Sequence, residues 1–238
     1  MKMMKKFTVF VLIFTLFASM PLTASAKGPV KKEVDYVALG DSLAAGITPF
    51  NRLGSGYPDY LTKRMEQSQY KVDYDNFAVP GQNSSQLLNG LHNEKILEDI
   101  KEAEYVTINI GANDLLPLIT QQHRIPQALN NLSTNLKHTL DLIESTGTHA
   151  NIYIMGYYNP FPYAPQEQQI QFEGLLDQLN NVIESTTYRY GHTYVPTERL
   201  IAKRYERYLP NPDNIHLSEA GYQAVAKEFW KKLDKSKN

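Results

Sequence analysis

The chain has 238 residues and a nearly balanced charge, since 24 basic and 25 acidic side chains give a net charge of −1. The absence of cysteine excludes disulfides and any metal or redox site built on thiolates. A balanced charge also argues against nucleic acid or an anionic membrane surface as a partner.

The first 26 residues have the pattern of a secretory signal peptide. Three lysines precede an apolar run from Phe7 to about Met20, and the small residues Ala24-Ser25-Ala26 follow it. A membrane anchor is the alternative interpretation, but the apolar run is short for a span of about 20 residues. We therefore expect cleavage before Lys27, secretion of the mature chain with or without retention at the cell wall, and no stable membrane anchor.

The remainder of the chain is long enough for one well-packed domain and short for two. We predict a flexible leader over residues 27–33 and a single domain over residues 34–238. Removal of the first 26 residues takes away three lysines and no acid, so the net charge moves from −1 to −4. The mature chain is thus even less suited to a polyanionic partner.

The predicted elements alternate between short apolar runs and longer amphipathic stretches. Five apolar runs are typical of buried strands: Val34–Leu39, Val72–Ala78, Tyr105–Ile110, Ile152–Met155 and Thr193–Val195. Five stretches have helical spacing: Tyr57–Gln67, Glu94–Ala103, Ile125–Ser145, Glu167–Tyr190 and Ser218–Leu233. This alternation predicts an α/β fold in which helices cover both faces of a parallel sheet.

Polar motifs follow each of the first three predicted strands. Gly40-Asp41-Ser42-Leu43 comes after the first strand, Val79-Pro80-Gly81-Gln82-Asn83 after the second and Gly111-Ala112-Asn113-Asp114 after the third. Each motif alone could be an ordinary turn or a helix cap. Because ligand sites in such sheets form beyond the carboxyl ends of the strands, we expect the three loops to converge on one edge.

Ser42 is a useful nucleophile only if a base lies within hydrogen-bond reach. His216 is the best candidate, because Pro210 and Pro212 shape its loop just before the last predicted helix. Asp213 would hold the Nδ1 proton of His216 and leave Nε2 facing Ser42. Taken alone, Asp213 and His216 could also be a surface pair or two metal ligands. The other histidines lack paired ligand spacing, and we predict no metal site.

The same edge offers donors for a developing negative charge. The backbone N–H groups of Ser42 and Gly81 and the side-chain amide of Asn113 fit that role. Glycine at position 81 lets the backbone approach a substrate without a Cβ in the way. Together with a nucleophile and a base, these donors predict acyl transfer to water.

The motifs, in this order and with this spacing, resemble the SGNH or GDSL hydrolases from Val37 to Tyr222. The resemblance implies a three-layer, flavodoxin-like α/β domain with a five-stranded parallel sheet. It also implies esterase or lipase activity that needs no cofactor. Carried over by motif, it implies the following triad and oxyanion-hole residues: Ser42, Asp213 and His216, and Ser42, Gly81 and Asn113.

Aromatic residues after the fourth predicted strand are candidates for the wall of a substrate pocket. Tyr157 and Phe161 lie at the same sheet edge as Ser42, and Leu115 follows Asn113 closely. Residues 115–119 and 48–57 are further wall candidates. An ordinary packed loop is the alternative for the aromatic segment.

The sequence therefore predicts a secreted serine esterase or lipase acting on a small-molecule, lipid or acylated-sugar ester. A carbohydrate O-acetyl esterase, a lysophospholipase and a thioesterase are alternatives among the hydrolases. Outside that class, the alternative is a flavodoxin-like ligand-binding protein. Such a protein would need a phosphate-binding loop after the first strand, where Gly40-Asp41-Ser42-Leu43 places an acid instead.

Overall fold

Five strands form a parallel sheet: β1 Lys32–Gly40, β2 Tyr70–Asn76, β3 Tyr105–Asn109, β4 Asn151–Met155 and β5 Thr193–Val195. Their order across the sheet is β2-β1-β3-β4-β5. The computed structural model describes residues 32–235, so the predicted signal peptide and residues 27–31 of the predicted leader lie outside the described residues. The predicted α/β fold with a five-stranded parallel sheet is confirmed.

The helices divide into long and short ones, numbered together in chain order. The long helices are α2 Tyr57–Gln67, α4 Glu94–Glu102, α6 Ile125–Ser145, α7 Gln166–Arg189 and α10 Glu219–Lys235. The short helices are α1 Ser42–Ala45, α3 Ser84–Gly90, α5 Ala112–Leu115, α8 Glu198–Ala202 and α9 Tyr205–Tyr208. The long helices match the predicted ones to within two residues at each end. Within residues 32–235, no helix combines the length and apolarity that crossing a membrane requires.

Two groups of helices cover the sheet. Helices α2 and α10 pack together, and α6 packs against α4 and α7. Every residue of the central strand β3 is buried, as expected when both faces of a sheet are covered, whereas the edge strand β2 alternates between half-buried and exposed residues.

Strand β1 begins two residues earlier than the apolar pattern indicates. Lys32 and Glu33, which the sequence analysis assigned to the leader, pair in register with Tyr70 and Lys71 of β2. The Glu33 carboxylate lies 2.7 Å from the Lys71 ammonium. Both side chains are exposed, so backbone pairing rather than apolar burial extends the strand.

A buried carboxylate joins several elements at the carboxyl edge of the sheet. The Asp41 side chain accepts hydrogen bonds from the Leu43 N–H (3.0 Å), the Asn109 amide (2.7 Å) and the Tyr157 hydroxyl (2.5 Å). Burial raises the pKa of the Asp41 carboxyl, and these three bonds oppose that rise. Asn180 of α7 holds both backbone polar groups of Tyr157. One carboxylate therefore connects α1, β3 and the loop after β4.

Substitution of this carboxylate should cost stability. We expect Asp41→Ala to lower the free energy of unfolding by about 3 kcal/mol, because it leaves buried donors without an acceptor. Urea unfolding followed by circular dichroism measures the change. Asp177→Ala removes an exposed carboxylate from α7 and should cost less than about 0.5 kcal/mol. Equal losses in the two variants would contradict the structural role of Asp41.

Candidate active site

Ser42 lies where the chain leaves β1 and enters α1. Gly40, with φ of 144°, lies so close to β3 that a Cβ there would come within 2.3 Å of the Asn109 carbonyl oxygen. Asp41 then caps α1 by accepting the Leu43 N–H. As a residue of the first helical turn, Ser42 has a backbone N–H without a helical acceptor. That N–H makes no hydrogen bond within residues 32–235 and is available to a substrate.

The loop before α10 brings His216 to Ser42. The Nε2 atom of His216 lies 2.9 Å from the Oγ atom of Ser42, although the two residues are 174 positions apart. The Tyr158 hydroxyl supports this loop by donating to the Ile215 carbonyl at 2.9 Å. Burial lowers the pKa of His216 from its ordinary 6.5. The neutral imidazole, which can accept the Ser42 proton, is therefore favoured near neutral pH.

The structure does not bring Asp213 to His216. Pro212 and Asp213 form the tip of a turn closed by the Asn214 N–H on the Asn211 carbonyl (3.1 Å), and Asp213 is exposed there. Among the described residues, no hydrogen bond or ion pair joins the Asp213 carboxylate to His216. The position beside Nδ1 of His216 is taken by Oδ1 of Asn214, at 2.8 Å. In this structure the Asn214 amide, and not the Asp213 carboxylate, therefore lies beside Nδ1, and Asp213 is exposed in the proline-containing turn.

Gly81 and Asn113 lie on neighbouring loops and are linked through Gln82. The Asn113 amide donates to the Gln82 carbonyl at 3.0 Å, which fixes the amide and leaves its second N–H free to donate. Gly81 has φ of 77°, and a Cβ there would meet nothing within 4 Å. Glycine is favoured by this backbone conformation rather than by crowding. The Gly81 N–H has no hydrogen bond in the described part of the chain.

A half-buried carboxylate fixes the loop that carries Asn113. Asp114 accepts hydrogen bonds from the Ser84 N–H (2.9 Å) and the Ser84 hydroxyl (2.5 Å). Burial raises the pKa of the Asp114 carboxyl. The Asn135 amide of α6 donates to the same hydroxyl at 2.9 Å. The loop after β3 is thus attached to α3 and to α6, which limits the movement of Asn113.

An apolar pocket opens beside the Ser42–His216 pair. Its empty space, which includes the open solvent at its mouth, is about 660 Å³. The three residues predicted for the pocket, Leu115, Tyr157 and Phe161, all line it, as does Asn113. The other lining residues are mainly apolar: Asp41, Ser42, Leu43, Ala112, Leu116, Ile119, Tyr158, Pro160, Phe172, Leu175, Leu176, Leu179, Ile215 and His216. Gly81 is outside this set.

Helix α7 supplies one wall of the pocket, a role that the sequence analysis missed. Phe172, Leu175, Leu176 and Leu179 follow one another at the spacing of an apolar helix face. That spacing was readable in the sequence, but it predicts burial without naming the cavity that the face closes. Conversely, residues 48–57 do not line the pocket.

The arrangement provides what acyl transfer needs. A serine hydroxyl lies against a neutral imidazole, amide donors lie on the adjacent loops, and an apolar cavity begins at the hydroxyl. Within residues 32–235, no three His, Cys, Asp or Glu side chains are grouped as metal ligands.

Comparison with known proteins places this geometry in a family. The model of the GDSL-like Lipase/Acylhydrolase family matches residues 38–224. The protein YpmR of Bacillus subtilis (strain 168) is 26% identical, and the match covers 94% of this chain and 93% of YpmR. The spore germination lipase LipC of Bacillus licheniformis is 25% identical over 207 residues, which cover 82% of this chain and 94% of LipC.

A solved structure shares the fold. The crystal structure of the lipase Lip_vut3 from a goat rumen metagenome has a TM-score of 0.74 and 23% identity, and the match covers 83% of this chain and 96% of that one. The family match extends over most of the chain and includes the loops that carry Ser42 and His216. The chain therefore belongs to the GDSL-like lipase/acylhydrolase family and is a GDSL-type serine ester hydrolase.

Proposed function

We propose that this protein is an exported serine esterase that hydrolyses carboxylic esters with an acyl chain of several carbons. The observation that carries the proposal is the 2.9 Å contact between Ser42 Oγ and His216 Nε2 at an apolar pocket. Export is supported by the signal-peptide pattern of residues 1–26. Mass spectrometry of protein recovered from the medium should find a mature chain that begins at Lys27.

The reaction begins with attack of the Ser42 hydroxyl oxygen on the ester carbonyl carbon. The hydroxyl proton passes to Nε2 of His216, and the carbonyl oxygen becomes an oxyanion. In this proposal, the backbone N–H groups of Ser42 and Gly81 and the side-chain amide of Asn113 stabilise that charge. The carbon–oxygen bond to the alcohol then breaks, and the alcohol leaves with the proton from His216.

Hydrolysis of the acyl-enzyme completes the cycle. His216 takes a proton from water as the water oxygen attacks the acyl carbon, and a second oxyanion forms. The bond from that carbon to Ser42 Oγ breaks, and Ser42 recovers its proton from His216. One ester and one water thus become one acid and one alcohol.

The lining of the pocket favours an acyl chain over a sugar. Side chains such as Leu115, Leu175 and Leu179 offer no hydrogen-bond partners, and buried sugar hydroxyls would lose their contacts with water without replacement. The pocket therefore supports the esterase or lipase interpretation rather than a carbohydrate O-acetyl esterase. The same pocket would accept acyl groups of lysophospholipids or thioesters.

The nucleophile can be tested directly. We expect Ser42→Ala to lower kcat for p-nitrophenyl butyrate by at least about 10³-fold, because no acyl-enzyme can form. Ser185→Ala removes an exposed hydroxyl from α7 and should retain the full rate. Circular dichroism should show that both variants fold. Full activity of Ser42→Ala would disprove the proposed function.

The acyl pocket predicts a dependence on chain length. Each methylene group of the acyl chain that the pocket buries contributes about 0.8 kcal/mol to transition-state binding, which is about fourfold in kcat/KM. The kcat/KM for p-nitrophenyl octanoate should therefore exceed that for p-nitrophenyl acetate. Leu175→Trp would fill the pocket and should lower kcat/KM for octanoate at least about tenfold, with little change for acetate. Ile170→Trp, at an exposed position of the same helix, is the matched control. A preference of the unmodified enzyme for acetate would refute the acyl-chain assignment.

The lowered pKa of His216 predicts the acid side of the pH profile. The base must be neutral, and its protonation begins only as the pH approaches a pKa that burial holds below 6.5. The substrate p-nitrophenyl butyrate does not titrate in this range. The pH at which half of the activity toward it is lost, the midpoint of the profile, should therefore lie below 6.5. A midpoint above pH 6.5 would contradict the burial of His216, and a flat profile down to pH 4 would exclude His216 as the base.

A further inference from the structure

We propose that the acyl pocket continues into a second cavity, the tail groove, which binds the distal part of a long acyl chain. The tail groove lies between residues 119–126, which lead into α6, and residues 170–178 of α7. The inference rests on the proposed function, in which the pocket beside Ser42 holds the acyl group. It extends that function from acyl chains of several carbons to esters of long-chain fatty acids.

Three side chains line both the acyl pocket and the tail groove. They are Ile119 from the segment before α6, and Phe172 and Leu175 from α7. All three are half-buried, so they border the two spaces without being packed into the core. An acyl chain that fills the pocket therefore arrives at the border of the tail groove.

The α7 wall sets how much of an acyl chain the pocket can hold. Asn180 hydrogen-bonds both backbone polar groups of Tyr157, which places the Leu179 end of the wall beside the catalytic edge. Phe172 lies seven residues earlier in the helix, about 10 Å away along its axis. An extended chain advances about 1.2 Å per bond, so an octanoyl chain spans about 8 Å and a hexadecanoyl chain about 18 Å. The longer chain thus needs a second site for its distal half.

Gly174 leaves a notch in the surface of α7 that borders the tail groove. It lies inside a helix of 24 residues, where glycine is less favourable than alanine. Its backbone is helical, and a Cβ there would meet nothing within 4 Å among residues 32–235, so neither conformation nor crowding requires glycine. Glycine is the residue that lets a ligand approach the backbone closely. The notch is therefore a place where an acyl chain can lie against the helix.

The neighbours of the notch suit an apolar chain. Ile170 and Gln178 lie four residues before and after Gly174, so the three form one row along the helix. Ile170 is 64% exposed, and a bound chain would cover this apolar surface. The Gln178 amide donates to the Gly174 carbonyl at 3.0 Å, which gives a polar atom of the notch a partner other than water.

The tail groove has no charged side chain in its lining. Its polar lining consists of three glutamines, and its other side chains, such as Ile125 and Pro126, are apolar. A charged head group bound there would lose its hydration without meeting an opposite charge. An alkyl chain would instead gain from apolar contact. The composition of the groove therefore favours the hydrocarbon end of an acyl chain.

The kinetic test compares acyl chains of different length on variants of the full mature chain. The p-nitrophenyl esters of acetate, octanoate and hexadecanoate are presented in the same nonionic detergent micelles. We expect Gly174→Trp to lower kcat/KM for hexadecanoate at least about tenfold, since the loss of two methylene contacts at about fourfold each suffices. The values for acetate and octanoate should stay within about twofold, because these chains end inside the pocket. An equal loss for all three esters, or an unchanged value for hexadecanoate, would overturn the proposal.

Two further variants separate a role in binding from a role in folding. Glu173→Trp is the matched control, because Glu173 is exposed and lines neither cavity, and it should leave all three values unchanged. Gly174→Ala should raise the Tm by about 2 °C, because the methyl group has space and alanine favours the helix. A lower Tm would show that the glycine serves packing and would contradict the proposal.

Photo-cross-linking locates the chain without relying on activity. Hexadecanoic acid with a diazirine at its terminal carbon is irradiated with Ser42→Ala, and the adducts are located by tandem mass spectrometry. We expect adducts on residues such as Ile125, Ile170 and Gln171, which line the tail groove but not the pocket. Adducts confined to the pocket or to other parts of the chain would overturn the proposal. Inactivity of the enzyme toward all esters would instead contradict the proposed function, and the adducts would still decide whether the groove binds a chain.

Discussion

The buried carboxylate of Asp41 is the constraint on which the site depends. It has no cationic partner in the described part of the chain and is satisfied by three hydrogen-bond donors instead. An unsatisfied carboxylate at this depth would cost several kcal/mol, so α1, β3 and the loop after β4 must meet in one arrangement. Ser42 is the next residue along the chain. The interaction that closes the edge of the sheet therefore also fixes the nucleophile.

Neutral amides do much of the remaining positioning. Asn113 is held by the Gln82 carbonyl, and Asn214 lies between Asn51 and His216. Amides fix direction through paired donors and acceptors and add no net charge to the site. Such a site suits a neutral ester, whose transition state develops a negative charge next to donors that are already in place.

The strands and helices could be predicted from the sequence, because their apolar residues recur at regular spacing. The location of the site could also be predicted, because ligand sites form beyond the carboxyl ends of parallel strands. The pairing of Ser42 with His216 was also predicted from the sequence. Asp213 was predicted as their partner because it lies only three residues before His216. Sequence separation shows that a side chain is close enough to contact the histidine, but it does not show where that side chain points. In the structure, Asp213 is exposed in the turn at Pro212, and Asn214 lies beside the imidazole ring. The α7 wall was missed for a similar reason, since an apolar helix face does not identify the cavity that it borders.

The central claim is that the His216 contact makes Ser42 a reactive nucleophile. Labelling of the folded mature protein with a fluorophosphonate, followed by peptide mass spectrometry, tests it most directly. The account predicts a single adduct on Ser42, none in Ser42→Ala, and labelling of His216→Ala slowed by at least about 10²-fold, the lower range for loss of a general base. An adduct on another residue, or labelling of His216→Ala as fast as that of the unmodified protein, would contradict it.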